Sequence, residues 1–246
     1  MGGNVGSFGS LWPAQVFPGT TMLAIQVAEL RFATEEGVLV FDGLSFGVVR
    51  DGFVWVVGPT GSGKTLLLRI LLGEVRPHGG QILLLGRNIL RLSRRKLQAL
   101  RRKIGYMPEE PSALFGRTVL GNLQFKLRAL GIGAEARREA VERALDLAGL
   151  HGHEDDRVEN LPQLELKRLE LALALCLDCS ILFADDPLRN LAEGAKEEFL
   201  NVLERVNQAG ITILATSSED ETLLRRGFTK KGETRALVYL RESMGR

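Results

Sequence analysis

The chain has 246 residues, of which 45% are apolar and 25% charged. That length suits one large α/β domain or two small ones, and the apolar share supplies a full core, which excludes a disordered or fibrous chain. The net charge of +2 is too small to mark a nucleic-acid binder, and no nucleic acid is expected as a partner.

Residues 1–20 are rich in Gly and Ser and carry no charged side chain. A signal peptide has a basic start and a longer apolar centre. N-myristoylation wants Ser or Thr at position 6, where Gly6 stands. Residues 1–21 therefore read as a flexible leader. No apolar run reaches the ~18 residues of a membrane span. Residues 22–28 and 38–48 alternate like antiparallel strands on either side of a turn through Glu35, Glu36 and Gly37.

Gly58-Pro59-Thr60-Gly61-Ser62-Gly63-Lys64-Thr65 matches G-x-x-x-x-G-K-[ST], the phosphate-binding P-loop. The context agrees with the motif. Phe53 to Val57 is a short run rich in β-formers, and Leu66 to Leu72 continues as a buried helix. The glycines let the backbone wrap an anion with its N–H groups inward, and the helix N-terminus adds its positive end. Lys64 is expected to reach the β- and γ-phosphates, and the Thr65 hydroxyl to ligate Mg²⁺.

Beyond the P-loop, residues 79–86 read as a turn and a strand. Residues 91–103 read as an amphipathic helix with seven Lys or Arg, either a solvated face or a contact for acidic lipid headgroups. Ile104 to Met107 is a short strand. Helices are expected at 118–130, 135–149 and 161–177. Cys176 and Cys179 close the last of these as a lone C-x-x-C. A zinc site needs a second pair, which His78, His151 and His153 are poorly placed to supply, so both cysteines read as ordinary helix-end residues. Two cysteines give no disulfide framework, which points to a reducing, cytoplasmic setting.

Ile181 to Asp186 is an apolar strand ending in two carboxylates. A P-loop needs an acidic partner for Mg²⁺ at the end of a neighbouring strand, and Asp185 has that place. Asp186 stands next to it, positioned to orient or deprotonate an attacking water. A helix at 193–208, a strand at 211–216, a helix at 219–226 and a strand at 235–240 close the chain. Strands alternating with helices predict a mainly parallel sheet with a helical insertion.

Taken together these stretches resemble the ATP-binding-cassette (ABC) ATPases, in particular the group of the cell-division subunit FtsE and its relatives in lipoprotein release and macrolide export. The resemblance runs from about residue 22 to 242. It rests on the P-loop, Asp51-Gly52-Phe53 before it, Leu100 to Tyr106, Arg117-Thr118-Val119 with Asn122-Leu123, Ala144 to Leu150, and Leu182 to Pro187 with Asn190-Leu191. It implies a P-loop (RecA-like) α/β cassette over 22–242, with an N-terminal antiparallel β-subdomain and a helical subdomain at about 108–178. It also implies two cassettes closing head-to-tail over ATP, and a coupling surface near the Q-loop that drives a membrane partner.

Several motifs depart from the family pattern. The Q-loop glutamine falls on Glu109, whose carboxylate would repel a γ-phosphate unless Mg²⁺ or a proton intervenes. The signature L-S-G-G-Q/E falls on Leu161-Pro162-Gln163-Leu164-Glu165: Pro162 has no N–H to donate, and Leu164 would obstruct backbone approach. The catalytic glutamate falls on Asp186, the switch histidine on Ser217 and the D-loop aspartate on Ala192. Phe32 falls where an aromatic ring stacks on adenine, or is simply core.

The resemblance thus implies a nucleotide-binding set of Phe32, Gly58, Pro59, Thr60, Gly61, Ser62, Gly63, Lys64, Thr65 and Leu66. The Mg²⁺ ligands are Thr65 and Asp185, and the catalytic set is Lys64, Glu109, Asp186 and Ser217. The expected protein binds Mg-ATP, hydrolyses it slowly or not at all, and docks on an FtsX-like membrane protein at the inner face of the cell membrane, as a homodimer or heterodimer. Two alternatives stay open, an active ABC transport ATPase, as a homodimer or as half of a heterodimer, and a soluble nucleotide-dependent scaffold without a membrane partner. A GTPase would carry N/T-K-x-D, which is absent, and a chromosome-organising ATPase would carry a long coiled coil where this chain has short helices.

Overall fold

The structure, a computed structural model, describes residues 22–228 and 235–240; the expected leader at 1–21 lies outside the described residues. Five strands, β3 (Phe53–Val57), β6 (Ile104–Met107), β7 (Ile181–Ala184), β8 (Thr212–Ser217) and β9 (Arg235–Tyr239), form a parallel sheet in the order β6-β7-β8-β3-β9. Strands β3, β7 and β8 are buried along their whole length, as unbroken apolar runs inside a covered parallel sheet must be. A separate antiparallel sheet holds β1 (Leu23–Ala33), β2 (Leu39–Val49), β4 (Gly79–Leu84) and β5 (Arg87–Asn88) in the order β2-β1-β4-β5.

The pleat of β3 divides the interior. Phe53, Trp55 and Val57 face a large cluster shared with the helices of the insertion and with α6 (Glu193–Gln208). Val54 and Val56 face a smaller cluster made with α1 (Lys64–Leu71) and the antiparallel sheet. Between β6 and β7 the chain runs through α3 (Val119–Ala129), α4 (Ala134–Ala148) and α5 (Gln163–Leu175). Thr118 caps α3 by accepting from the Gly121 amide at 3.0 Å, and left-handed Gly149 ends α4.

Helices α3 and α5 fall one and two residues short of the predicted bounds at each end, and two more helices are shorter for local reasons. The basic stretch forms α2 only over Arg94–Arg101, after a 3₁₀ turn at Ile89–Arg91 that the Asn88 side chain caps. Beyond it, the Lys103 carbonyl accepts from the amides of Ser180 and Ile181 and leads the chain into β6. The last helix, α7 (Glu221–Arg225), starts late because Glu219 is held in a turn: its amide donates to Ser217 Oγ and its carbonyl accepts from that hydroxyl. Both cysteines are free and buried, Cys176 at the end of α5 and Cys179 just beyond it, and burial pushes both thiols up, Cys179 to about 11.

Candidate phosphate-binding site

The C-terminal ends of β3, β6, β7 and β8 lie side by side at one edge of the parallel sheet, the edge where α/β folds place ligands. The loop after β3 leads into α1 through Gly63, which is left-handed (φ 91°) and has no room for a Cβ: Val40 Cγ1 would lie 2.6 Å away. Gly58 has none either, with Ser62 Oγ at 2.6 Å and the Leu240 carbonyl at 3.0 Å. The Lys64 ammonium folds back over the loop and donates to the carbonyls of Gly58 (2.6 Å) and Pro59 (3.0 Å). Burial pushes its pKa down, while Asp186 and Asp185 oppose that shift.

Asp185 and Asp186 follow β7. Asp185 donates its amide to the Met107 carbonyl at 2.8 Å, and its Oδ1 accepts from Thr216 Oγ1 at 2.8 Å. Its other oxygen, Oδ2, is buried with no hydrogen-bond partner. Asp186 is left-handed (φ 43°) and donates its amide to Thr216 Oγ1 at 2.8 Å, so one hydroxyl positions both aspartates. Burial pushes the Asp186 carboxyl up, and Asp185 adds to this, while Lys64 and Lys167 draw it down. Lys167 itself is buried on α5, and that burial lowers its pKa against the pull of Asp186 and Glu170.

A cavity of about 530 Å³ opens over this edge. Thr60, Gly61, Gly63, Lys64, Thr65 and Leu66 line it from the loop and helix, Glu109, Asp185 and Asp186 from the turns after β6 and β7, and Thr34, Glu36, Val38 and Val40 from the β1–β2 hairpin. Gly58 and Pro59 are not among its lining residues; they instead supply the carbonyls that hold Lys64. Ser62 is also outside the lining, with a buried hydroxyl that has no partner. Phe32 does not line the cavity: it is half-buried, and its ring tilts against His78 with centroids 5.3 Å apart. Ser217 borders a neighbouring cavity with Asp186, and its hydroxyl is turned to the Glu219 carbonyl at 2.7 Å.

Asp185 and Thr65 share one cavity, and Asp185 Oδ2 makes no hydrogen bond there, which leaves it open to a hard cation; burial and the neighbouring Asp185 carboxyl together push the Tyr106 phenol up to about 12. Among the described residues no three His, Cys, Asp or Glu gather as a metal cluster, and Mg²⁺ needs none, since it takes one or two protein ligands together with phosphate oxygens and water.

Sequence reasoning missed four groups. Arg189, in the turn after β7, lines the cavity and forms an ion pair with Glu109, so the carboxylate expected to repel phosphate already has a counter-charge. Thr216 and Lys167 are the second and third. The fourth is Glu170, a buried carboxylate of α5 that accepts from Ser112 N, Ser112 Oγ and Ala113 N at 2.6–2.7 Å. A charged side chain inside an apolar helix was the signal for Lys167 and Glu170. Leu164 is half-buried and packs against the large cluster, so part of its side chain is drawn into the fold.

A sequence profile described as ABC transporter matches residues 41–189. The cell-division ATP-binding protein FtsE of Escherichia coli is 32% identical over 190 residues, 76% of this chain and 84% of that protein. A putative ABC transporter ATP-binding protein of Clostridium tetani is 28% identical over 200 residues, 81% of this chain, which spans 44% of that protein's length. The dimeric structure of the bacterial ABC transporter cassette MJ0796 superposes with a TM-score of 0.73 at 22% identity, covering 89% of this chain and 94% of that one. The chain is an ATP-binding cassette subunit and belongs to the ABC transporter family.

Proposed function

We propose that this subunit binds Mg-ATP in the cavity over the P-loop, turns it over slowly or not at all, and acts on an FtsX-like membrane partner. The observation that carries the reading is an asymmetry. Lys64, Thr65 and Asp185, which would hold the phosphates and Mg²⁺ within one chain, line one cavity, while the residues at the positions that would complete hydrolysis or clamp a second cassette depart from the family pattern. Thr65 and Asp185 would hold Mg²⁺, which neutralises phosphate charge when bound. Lys64 would exchange two loop carbonyls for phosphate oxygens.

Turnover has three obstacles. Asp186 is one methylene shorter than glutamate, and its amide is held by Thr216. A displacement of about 1 Å costs on the order of a hundredfold in rate. The Ser217 hydroxyl is engaged with the Glu219 carbonyl. Helix α5, which would present the signature to the opposite cassette, has Pro162 as its N-cap, with no N–H and no side-chain cap bond.

A membrane partner is supported by a patch beside the Glu109 loop, where Leu114, Phe115 and Phe125 are exposed, Phe115 at 69%. Among the described residues no helix is long and apolar enough to cross a membrane, so attachment at the inner face of the cell membrane would run through that partner. Pairing of two cassettes, alike or different, is supported by the dimeric MJ0796 likeness. The intact half-site also suits a second reading: a working ATPase in a heterodimer whose other cassette supplies an intact signature.

Steady-state ATPase assays on the wild type and Lys64→Ala test the proposal. Lys64-dependent turnover by the isolated chain near ordinary enzyme rates of ~1–10 s⁻¹ contradicts it. Turnover that appears only on adding a second cassette favours the heterodimer.

A further inference from the structure

Arg189 lines the cavity and pairs with Glu109 at the Q-loop position, and the sequence reading gave the arginine no role. Glu109 leaves the end of β6 and Arg189 the turn after β7, and these strands are parallel neighbours with Met107 opposite Ala184. The turn is built to present the arginine. It bends through left-handed Asp186 and Asn190 (φ 63°), and the Arg189 amide donates to the Asp186 carbonyl at 3.1 Å. The guanidinium therefore borders the same space as Lys64, Thr65 and Asp185.

The pair is a weak fastening. The Arg189 side chain is 51% exposed and that of Glu109 26%, and ion pairs this accessible contribute about 0–1 kcal/mol. A guanidinium is matched in shape and charge to phosphate, which it binds with two parallel N–H donors. A terminal phosphate carries more charge than one carboxylate and arrives held by the P-loop.

We propose that Arg189 is a phosphate-binding residue acting within its own chain, and that Glu109 is its resident counter-ion, displaced by the terminal phosphate of a nucleoside triphosphate. The proposal rests on the cavity being a nucleotide site and adds to it a preference for triphosphate over diphosphate. Positive charge that the altered signature no longer brings from an opposite subunit is supplied in cis. Glu109 at the Q-loop position is then a competitor that sets the threshold for triphosphate entry.

The test is fluorescence titration of the full chain with N-methylanthraniloyl-ATP and the corresponding diphosphate in Mg²⁺, on the wild type, Lys64→Ala, Arg189→Ala and Glu109→Gln. Arg189→Ala is expected to weaken triphosphate binding about tenfold and diphosphate binding less than about twofold. Glu109→Gln is expected to tighten triphosphate binding severalfold, because the guanidinium loses its competitor. A merely structural pair predicts the same sign for both variants, and that result overturns the proposal, as does equal loss of tri- and diphosphate in Arg189→Ala. Urea midpoints without nucleotide verify folding, and Arg189→Gln replaces Arg189→Ala should the latter not fold. If the wild type binds neither nucleotide, the reading of the cavity fails as well. If it binds in a Lys64-dependent way and Arg189→Ala matches it, only the arginine's role fails.

Discussion

Replacing Glu170 separates charge from hydrogen bonding at the joint between α5 and the loop that carries Glu109. The carboxylate is buried, and its Oε1 accepts from both backbone amides, Ser112 N and Ala113 N at 2.7 Å each, while Oε2 accepts from Ser112 Oγ at 2.6 Å. Glu170→Ala removes all three bonds. Ser112 is exposed and its groups rehydrate, at a net loss of about 0.5–1.5 kcal/mol per bond. Ala113 is buried, and its orphaned amide costs about 1–3 kcal/mol. The sum is about 4 kcal/mol, which for a chain this size lowers Tm by roughly 8–16 °C. Glu170→Gln behaves differently. Its amide oxygen keeps both backbone bonds and its NH₂ donates to the Ser112 hydroxyl, so only charge assistance is lost, about 1 kcal/mol. Urea unfolding of both variants at 25 °C measures the two values. Equal losses, or a Glu170→Ala loss within about 0.5 kcal/mol of zero, refute the clasp.

Three further substitutions test other parts of the structure. Ala192, the exposed N-cap of α6, offers no side-chain acceptor, so Ala192→Asp is expected to raise stability by about 1 kcal/mol in urea melts. Gly63→Ala is expected to cost about 2–3 kcal/mol and to abolish nucleotide binding, since its φ of 91° and the 2.6 Å approach to Val40 leave a Cβ no place. Cys179, raised to about 11, stays protonated in the fold while the unfolded chain ionises from about pH 9. A raised folded pKa gives stability that is present below pH 9 and lost as pH climbs through 11, on the order of 2 kcal/mol. Cys179→Ala should therefore show a shallower alkaline loss in unfolding experiments between pH 9 and 11.

Much of the scaffold was legible in the sequence because burial leaves a plain trace there. Phe53–Val57 and Ile104–Met107 coincide residue for residue with β3 and β6, since a strand covered on both faces is a short apolar run bounded by polar turns. Helix α6 was equally clear from its period. The basic stretch misled because charge alone does not set length: Asn88 caps a 3₁₀ turn before α2, and the Lys103 carbonyl is committed to Ser180 and Ile181. The loop and its lysine were legible as a motif, whereas contacts joining distant loops were not. Glu109 read as a bare carboxylate because its partner, Arg189, lies 80 positions further along a turn whose approach only the sheet order reveals. Thr216 looked like one more β-former in an apolar strand. Its hydroxyl gains meaning only because β7 and β8 are neighbours. Leu164 was judged by its bulk at a glycine position, and the helix turns that bulk partly toward the large core cluster.

Calorimetric titration of Mg-ATP into the wild type and into Lys64→Ala bears most directly on the retained half-site. The wild type should give saturable binding at micromolar to low millimolar nucleotide, and Lys64→Ala should weaken it by a factor on the order of thirty or more, as the loss of the charge-assisted phosphate contacts of one buried lysine requires. Absence of binding to the wild type at millimolar Mg-ATP, or equal binding by the two proteins, would contradict the assignment of this cavity to a nucleotide's phosphates.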